Sequence, residues 1–116
     1  MFKFEKLDVW KKALDLSFDI HGLTRKFPKE EMYVLTTQMK RAADSIGLNI
    51  AEGSTGQSNP EFKQFLKYST RSAIELVASL FLARRRGLVD DEEFLGFQER
   101  IEEIVKMLHG LRNSLK

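Results

Sequence analysis

The residues with a chemical use fall on two lines along the chain. Gln38, Arg41, Ser45, Asn49 and Glu52 recur at spacings of three and four, which at about 100° per residue confines them to one narrow arc of a helix. Leu35, Met39, Ala42, Ile46 and Ile50 fill the neighbouring arc. Amide and hydroxyl groups set beside a core-facing stripe fit a partly buried network between helices or between subunits, where hydrogen bonds select one register among several. Glu75, on a later segment, completes this set, and Arg41 paired with Glu75 or Glu52 is its expected ion pair. The same row could line a ligand groove, but a structural network is the favoured reading because buried polar groups require partners.

The second line is cationic. Lys63, Lys67 and Arg71 repeat every four residues, and Arg84, Arg85 and Arg86 follow in the same segment. A row of this kind can track a phosphate backbone with strongly salt-dependent affinity. The competing reading is a solvated face ending in arginines that complement a helix C-terminus. Net charge is only +2, yet residues 59–87 hold six Lys or Arg against two Glu, whereas residues 88–116 hold four against seven acids. Any basic surface is therefore expected on the third quarter of the chain.

Residue types and spacing argue against most other chemistry. There is no cysteine, so disulfide frameworks and thiolate metal sites are excluded. His21 and His109 stand alone, without the Glu-x-x-His pairs of a di-iron bundle, and no nucleophile, base and orienting group are recognisable together. Residues 53–58, Gly-Ser-Thr-Gly-Gln-Ser, lack the Gly-Lys-Ser/Thr ending and the preceding strand of a phosphate-binding loop. No catalytic residue, cofactor or metal is expected.

Four amphipathic helices must position these groups. The first is predicted from about Asp8 to Arg25, turning Trp10, Ala13, Leu14, Ser17, Ile20 and Leu23 or Thr24 inward. Pro28 opens the second, which runs to about Glu52, with Gly53 as a left-handed terminator. Ser58 or Asn59 caps the third, whose inward face takes Phe62, Phe65, Leu66, Ser69, Ala73, Leu76, Leu80 and Phe81 and which stops at Gly87. Asp90, with Glu93 three residues on, caps the fourth. Its seam is Phe94, Phe97, Ile101, Ile104, Leu108, Leu111 and Leu115. Gly47 inside the second helix suggests a close helix approach.

Short connections make neighbours antiparallel, so residues 1–116 are expected to form one all-α domain, an up-down-up-down four-helix bundle. No apolar run is long enough to span a bilayer and the N-terminus lacks a signal-peptide core, so a cytoplasmic protein without a membrane partner is expected.

Phe4 to Ala13, Phe27-Pro28-Lys29-Glu30-Glu31, Gln38, Arg41-Ala42-Ala43, Ser45-Ile46, Asn49-Ile50-Ala51-Glu52-Gly53 and Glu75-Leu76 together resemble the 23S rRNA intervening-sequence proteins. The chain departs from that pattern at Val34, where a glycine commonly follows the tyrosine. The resemblance implies a left-handed bundle, often assembled as a homopentamer. It also implies a similarity to accessory proteins of diversity-generating retroelements, which bind nucleic acid and a reverse transcriptase.

The leading expectation is thus a non-enzymatic homo-oligomer that binds RNA or other nucleic acid through Lys63, Lys67, Arg71 and Arg84–Arg86. The alternative is a protein-interaction adaptor or scaffold whose partner recognises Phe2, Phe4 and Trp10.

Overall fold

The last two helices begin where a local side chain gives a free backbone N–H a partner. The computed structural model describes residues 1–116: a 3-10 turn at Lys3–Lys6 leads into α1 (Asp8–Thr24), followed by α2 (Thr37–Ser54), α3 (Asn59–Arg85) and α4 (Asp91–Ser114). Ser58 Oγ accepts the Glu61 N–H at the start of α3, with Pro60 in the first turn. Asp90 and Glu93 bond reciprocally at the start of α4, through Glu93 N to Asp90 Oδ1 at 2.7 Å and Asp90 N to Glu93 Oε1 at 3.1 Å.

At the end of α3, Gly87 adopts φ +75°. Leu88 N then reaches Ala83 O and Gly87 N reaches Arg84 O, the paired bonds of a Schellman stop that uses the last carbonyls of the helix.

The α1–α2 connection is more elaborate than a proline-started helix. Pro28 precedes a 3-10 turn, Lys29–Glu31, which passes into a single π-helical turn, Met32–Thr36, before regular α2 begins at Thr37. The Thr37 hydroxyl donates to Met32 O across that wide turn. Val34, the departure from the family pattern, lies in it and is exposed. At the other end of α2 the expected left-handed Gly53 is not found. Gly53 is helical and buried, and the Ser54 and Thr55 hydroxyls take up the Ala51 and Glu52 carbonyls instead.

Helix α1 packs between α2 and α4, and α3 closes the other side between the same two helices. The result is an up-down-up-down bundle of 44 × 23 × 22 Å. Its core is one continuous cluster that includes Leu16, Ile20, Leu35, Met39, Ile46, Ile50, Leu66, Leu76, Leu80, Phe94, Ile101 and Ile104. Burial is tight where α2 meets α3, because Gly53 lets the two backbones approach: a Cβ built there would lie 2.6 Å from Phe65 Cβ and 2.9 Å from Phe62 Cδ1. Ser69, fully buried on α3, donates to Ile46 O at 2.8 Å and fixes the register of this pair.

The register of α1 against α4 is marked by charge. Lys12–Glu103 (3.1 Å), Asp19–Arg100 (2.8 Å) and Lys26–Glu93 (3.7 Å) form a ladder of ion pairs. Lys12 and Asp19 are seven residues apart on α1 and share one face, Lys26 follows in the turn just past the helix, and the three partners descend α4 in antiparallel order. Each is exposed enough that its net contribution is modest, about 0–1 kcal/mol.

Several inward assignments from the sequence need correction. Leu14 is 54 % exposed while Leu16 is buried, so the inward face of α1 is rotated from the one expected. Phe81 is 46 % exposed on the outer side of α3, where its ring meets Phe94 edge-on at 4.7 Å.

Candidate nucleic-acid interface

Helix geometry sorts the six predicted cations of α3. Lys63, Lys67 and Arg71 step by about 40° each and so span about 80°, and Arg85, eighteen residues after Lys67, returns to the direction of Lys67 at about 100° per residue. Arg84 and Arg86 point about 100° to either side. The surroundings agree with this division. Arg84 stacks over Phe94 at 3.9 Å and Phe81 at 5.4 Å and approaches Asp91, while Arg86 donates to Glu31 Oε1 at 3.0 Å.

These two arginines therefore fasten the end of α3 to α4 and to the α1–α2 connection. Lys63, Lys67, Arg71 and Arg85 are in no ion pair, and all but the half-buried Lys63 are exposed. Between Arg71 and Arg85 the same face carries the exposed Ile74, Phe81 and Leu82. The six residues thus do not make one basic line: a basic half-helix gives way to an apolar half-helix, with Arg85 beyond it.

The polar row on α2 does not form a network inside the chain. Gln38, Arg41 and Glu52 are exposed, Ser45 and Asn49 are half-buried, and Glu75 on α3 is exposed. Asn49 Nδ2 donates to Ser45 O of its own helix at 2.8 Å, and neither expected partner lies within ion-pair distance of Arg41.

Sequence reasoning missed the polar contact that does join α1 to α2. Asp44 Oδ1 accepts both the Ser17 hydroxyl and His21 Nε2, the latter at 2.9 Å, so His21 does not stand alone. Residues 17, 21 and 44 are spaced for this only once two helices are packed, and no local pattern announces it. Serine, histidine and aspartate here do not form a catalytic relay. Both donors converge on one carboxylate oxygen, and the hydroxyl is not bonded to the imidazole, so the imidazole is not placed to take its proton. No group of three or more His, Cys, Asp or Glu side chains is gathered to hold a metal ion.

The comparison with known proteins agrees with the bundle. A family model described as 23S rRNA-intervening sequence protein matches residues 5–110. The chain belongs to this family. A crystal structure described as a protein of unknown function from the S23 ribosomal protein family of Bacteroides thetaiotaomicron VPI-5482 is similar to this intervening-sequence protein. The TM-score is 0.85 at 27 % identity, over 91 % of this chain and 96 % of that one. No curated protein matches the chain. As in the sequence reading, no helix of this family member is long and apolar enough to cross a membrane.

Proposed function

We propose that this protein is a non-enzymatic, cytoplasmic homo-oligomer that binds RNA through the basic half of α3. The observation that carries this reading is the group Lys63, Lys67 and Arg71, which share one face and have no carboxylate partner. Cations left unpaired on a rigid helix are free to neutralise phosphates and release the counterions condensed there. Arg85 extends the surface, while Arg84 and Arg86 support it by holding the helix end in place.

Oligomerisation is supported by apolar side chains left outside the core. Leu14 and Phe18 on α1, Leu48 on α2 and Ile74, Phe81 and Leu82 on α3 are all exposed, apolar surface that a neighbouring subunit would cover. A ring of five copies, the assembly implied by the family resemblance, would repeat the basic half-helix and raise avidity without altering any single contact. The half-buried Ser45 and Asn49, with Gln38, Arg41, Glu52 and Glu75 around them, then serve as polar contacts between subunits.

Filter binding of structured RNA across a salt series tests the surface. Replacing Lys63, Lys67 and Arg71 by Gln is expected to reduce the slope of log K against log salt by about 2, at about 0.7 for each phosphate contact to a single strand. Equal binding by both proteins, or binding insensitive to salt, refutes it.

A second reading, a protein-interaction adaptor, draws on the N-terminal aromatic cluster. Phe2 is 65 % exposed, stacks on Phe4 at 5.6 Å, and Phe4 meets Trp10 edge-on at 4.9 Å. Nuclease-resistant recovery of a protein partner, lost on Phe2→Ala, distinguishes this reading from the first.

A further inference from the structure

A cavity of about 530 Å³ opens between the C-terminal end of α1 and the start of α2. His21 and Arg25 come from α1, Lys29 from the 3-10 turn and Lys40 from α2, and no carboxylate lines it. Arg25, Lys29 and Lys40 are in no ion pair within the chain. Of the neighbouring acids, Asp44 holds Ser17 and His21, Glu31 holds Arg86, and Glu30 is exposed outside the lining. Lys40 is half-buried and has no counter-ion within the chain, an arrangement that a bound anion would complement.

The rest of the wall is not generic. The π-helical turn places both Met32 and Thr36 on the cavity, and such turns recur at functional sites. Thr24 and Thr36 offer hydroxyls, while Phe27 and Met32 offer apolar surface. Another depression of similar size, at the start of α4, is lined by Asp90, Glu92 and Glu93 with Arg100. Of these two depressions, only the one at the α1–α2 connection gathers unpaired cations without a carboxylate.

We propose that this cavity is a binding site for a small organic phosphomonoester. Three cations suit a dianion with three acceptor oxygens better than a single carboxylate. The volume lies within the roughly 300–1,000 Å³ of small-molecule sites, leaving room beyond the phosphate for an organic body against Phe27 and Met32. The site is distinct from the α3 surface proposed for RNA, and the two stand or fall separately.

The test is an amide chemical-shift titration of the full ¹⁵N-labelled chain. The probes are ribonucleoside 5′-monophosphates, sugar phosphates, inorganic phosphate and unphosphorylated nucleosides. Saturable shifts at Arg25, Lys29, Thr36 and Lys40 are expected from an organic phosphate at millimolar concentration, with inorganic phosphate weaker and nucleosides inert. Arg25→Gln and Lys40→Gln are each expected to weaken that binding roughly tenfold, the loss of one charge-assisted contact. Arg25 and Lys29 are exposed, so Arg25→Gln and Lys29→Gln keep the test valid should Lys40→Gln disturb folding. The triple Gln variant at Lys63, Lys67 and Arg71 should bind the phosphate as the natural chain does.

The proposal is overturned if no organic phosphate shifts these amides, or if inorganic phosphate or a bare nucleoside binds equally well. It is also overturned if Arg25→Gln and Lys29→Gln leave the affinity unchanged, or if only RNA perturbs the site.

Discussion

Gly53→Ala should destabilise the bundle even though alanine is the better helix former. A methyl group at residue 53 would sit 2.6 Å from Phe65 Cβ, 2.9 Å from Phe62 Cδ1 and 3.3 Å from Phe65 Cγ, whereas carbon atoms in contact prefer about 3.5–4.0 Å. Phe65 Cβ is bonded to the backbone, so a rotamer change cannot move it away. The α2–α3 spacing must open by about 1 Å, at a site where Phe62 is only 3 % exposed.

Overpacking of a closed core costs about 1–3 kcal/mol, and the absence of a rotamer escape places Gly53→Ala near the upper value. The helix-propensity gain of about 1 kcal/mol offsets part of this. The expected net loss is about 2 kcal/mol, or about 8 °C in Tm at about 4 °C per kcal/mol for a domain of this size. Gly47→Ala is the internal control, since a methyl group there would meet Ala13 Cβ and Trp10 Nε1 at 3.7 Å, ordinary contact distance. It should raise Tm by a few degrees. Circular dichroism melts and urea titrations of the three proteins at one concentration decide the matter. A Gly53→Ala protein as stable as the natural chain would refute the close-approach argument.

Phe94→Ala should cost about 3–5 kcal/mol, because the ring is 1 % exposed and carries the Phe81 edge contact and the Arg84 stack. Urea unfolding followed at 222 nm, a wavelength set by the helical amide signal and not by this protein, reads the change. Asp90→Ala removes the side-chain half of the α4 capping box, the bond from Glu93 N–H to Asp90 Oδ1, leaves the backbone N–H of residue 90 free to donate to Glu93 Oε1, and should cost about 1 kcal/mol. Hydrogen exchange should show the loss first at the amides of Glu92 and Glu93, with the far end of α4 unchanged.

The starts of α3 and α4 and the stop of α3 were legible because they depend on residues within one turn of each other. Ser58 with Glu61, Asp90 with Glu93, and Gly87 after the arginines all act locally, and each was found as expected. The inward face of α1 was less legible, because apolar residues at 9, 10, 13, 14, 16, 18, 20 and 23 allow two neighbouring stripes, and only packing selects Leu16 over Leu14. The Gly53 role was misread for a related reason. A glycine beside a loop fits a left-handed stop equally well, until Phe62 and Phe65 of the next helix are in place.

Candidate-site legibility divides in the same way. The spacing of Lys63, Lys67 and Arg71 reports one helix face directly. The diversion of Arg84 and Arg86 to Phe94 and Glu31, the Asp44 bridge and the cationic cavity all require side chains from separate elements. No window of sequence contains them.

The 3-10 turn at Lys3–Lys6, the α2–α3 loop and the end of α4 gather at one pole of the bundle, where Lys3 Nζ lies over the Phe62 ring at 5.6 Å and Asn59 Nδ2 reaches Lys116 O at 3.1 Å. The α1–α2 and α3–α4 connections occupy the opposite pole, joined by Arg86 and Glu31. A tether placed at Met1 or at Lys116 would therefore present the same pole outward, with the cationic cavity facing solution. Sensor-surface and single-molecule measurements could then use either attachment point without changing the orientation of the molecule.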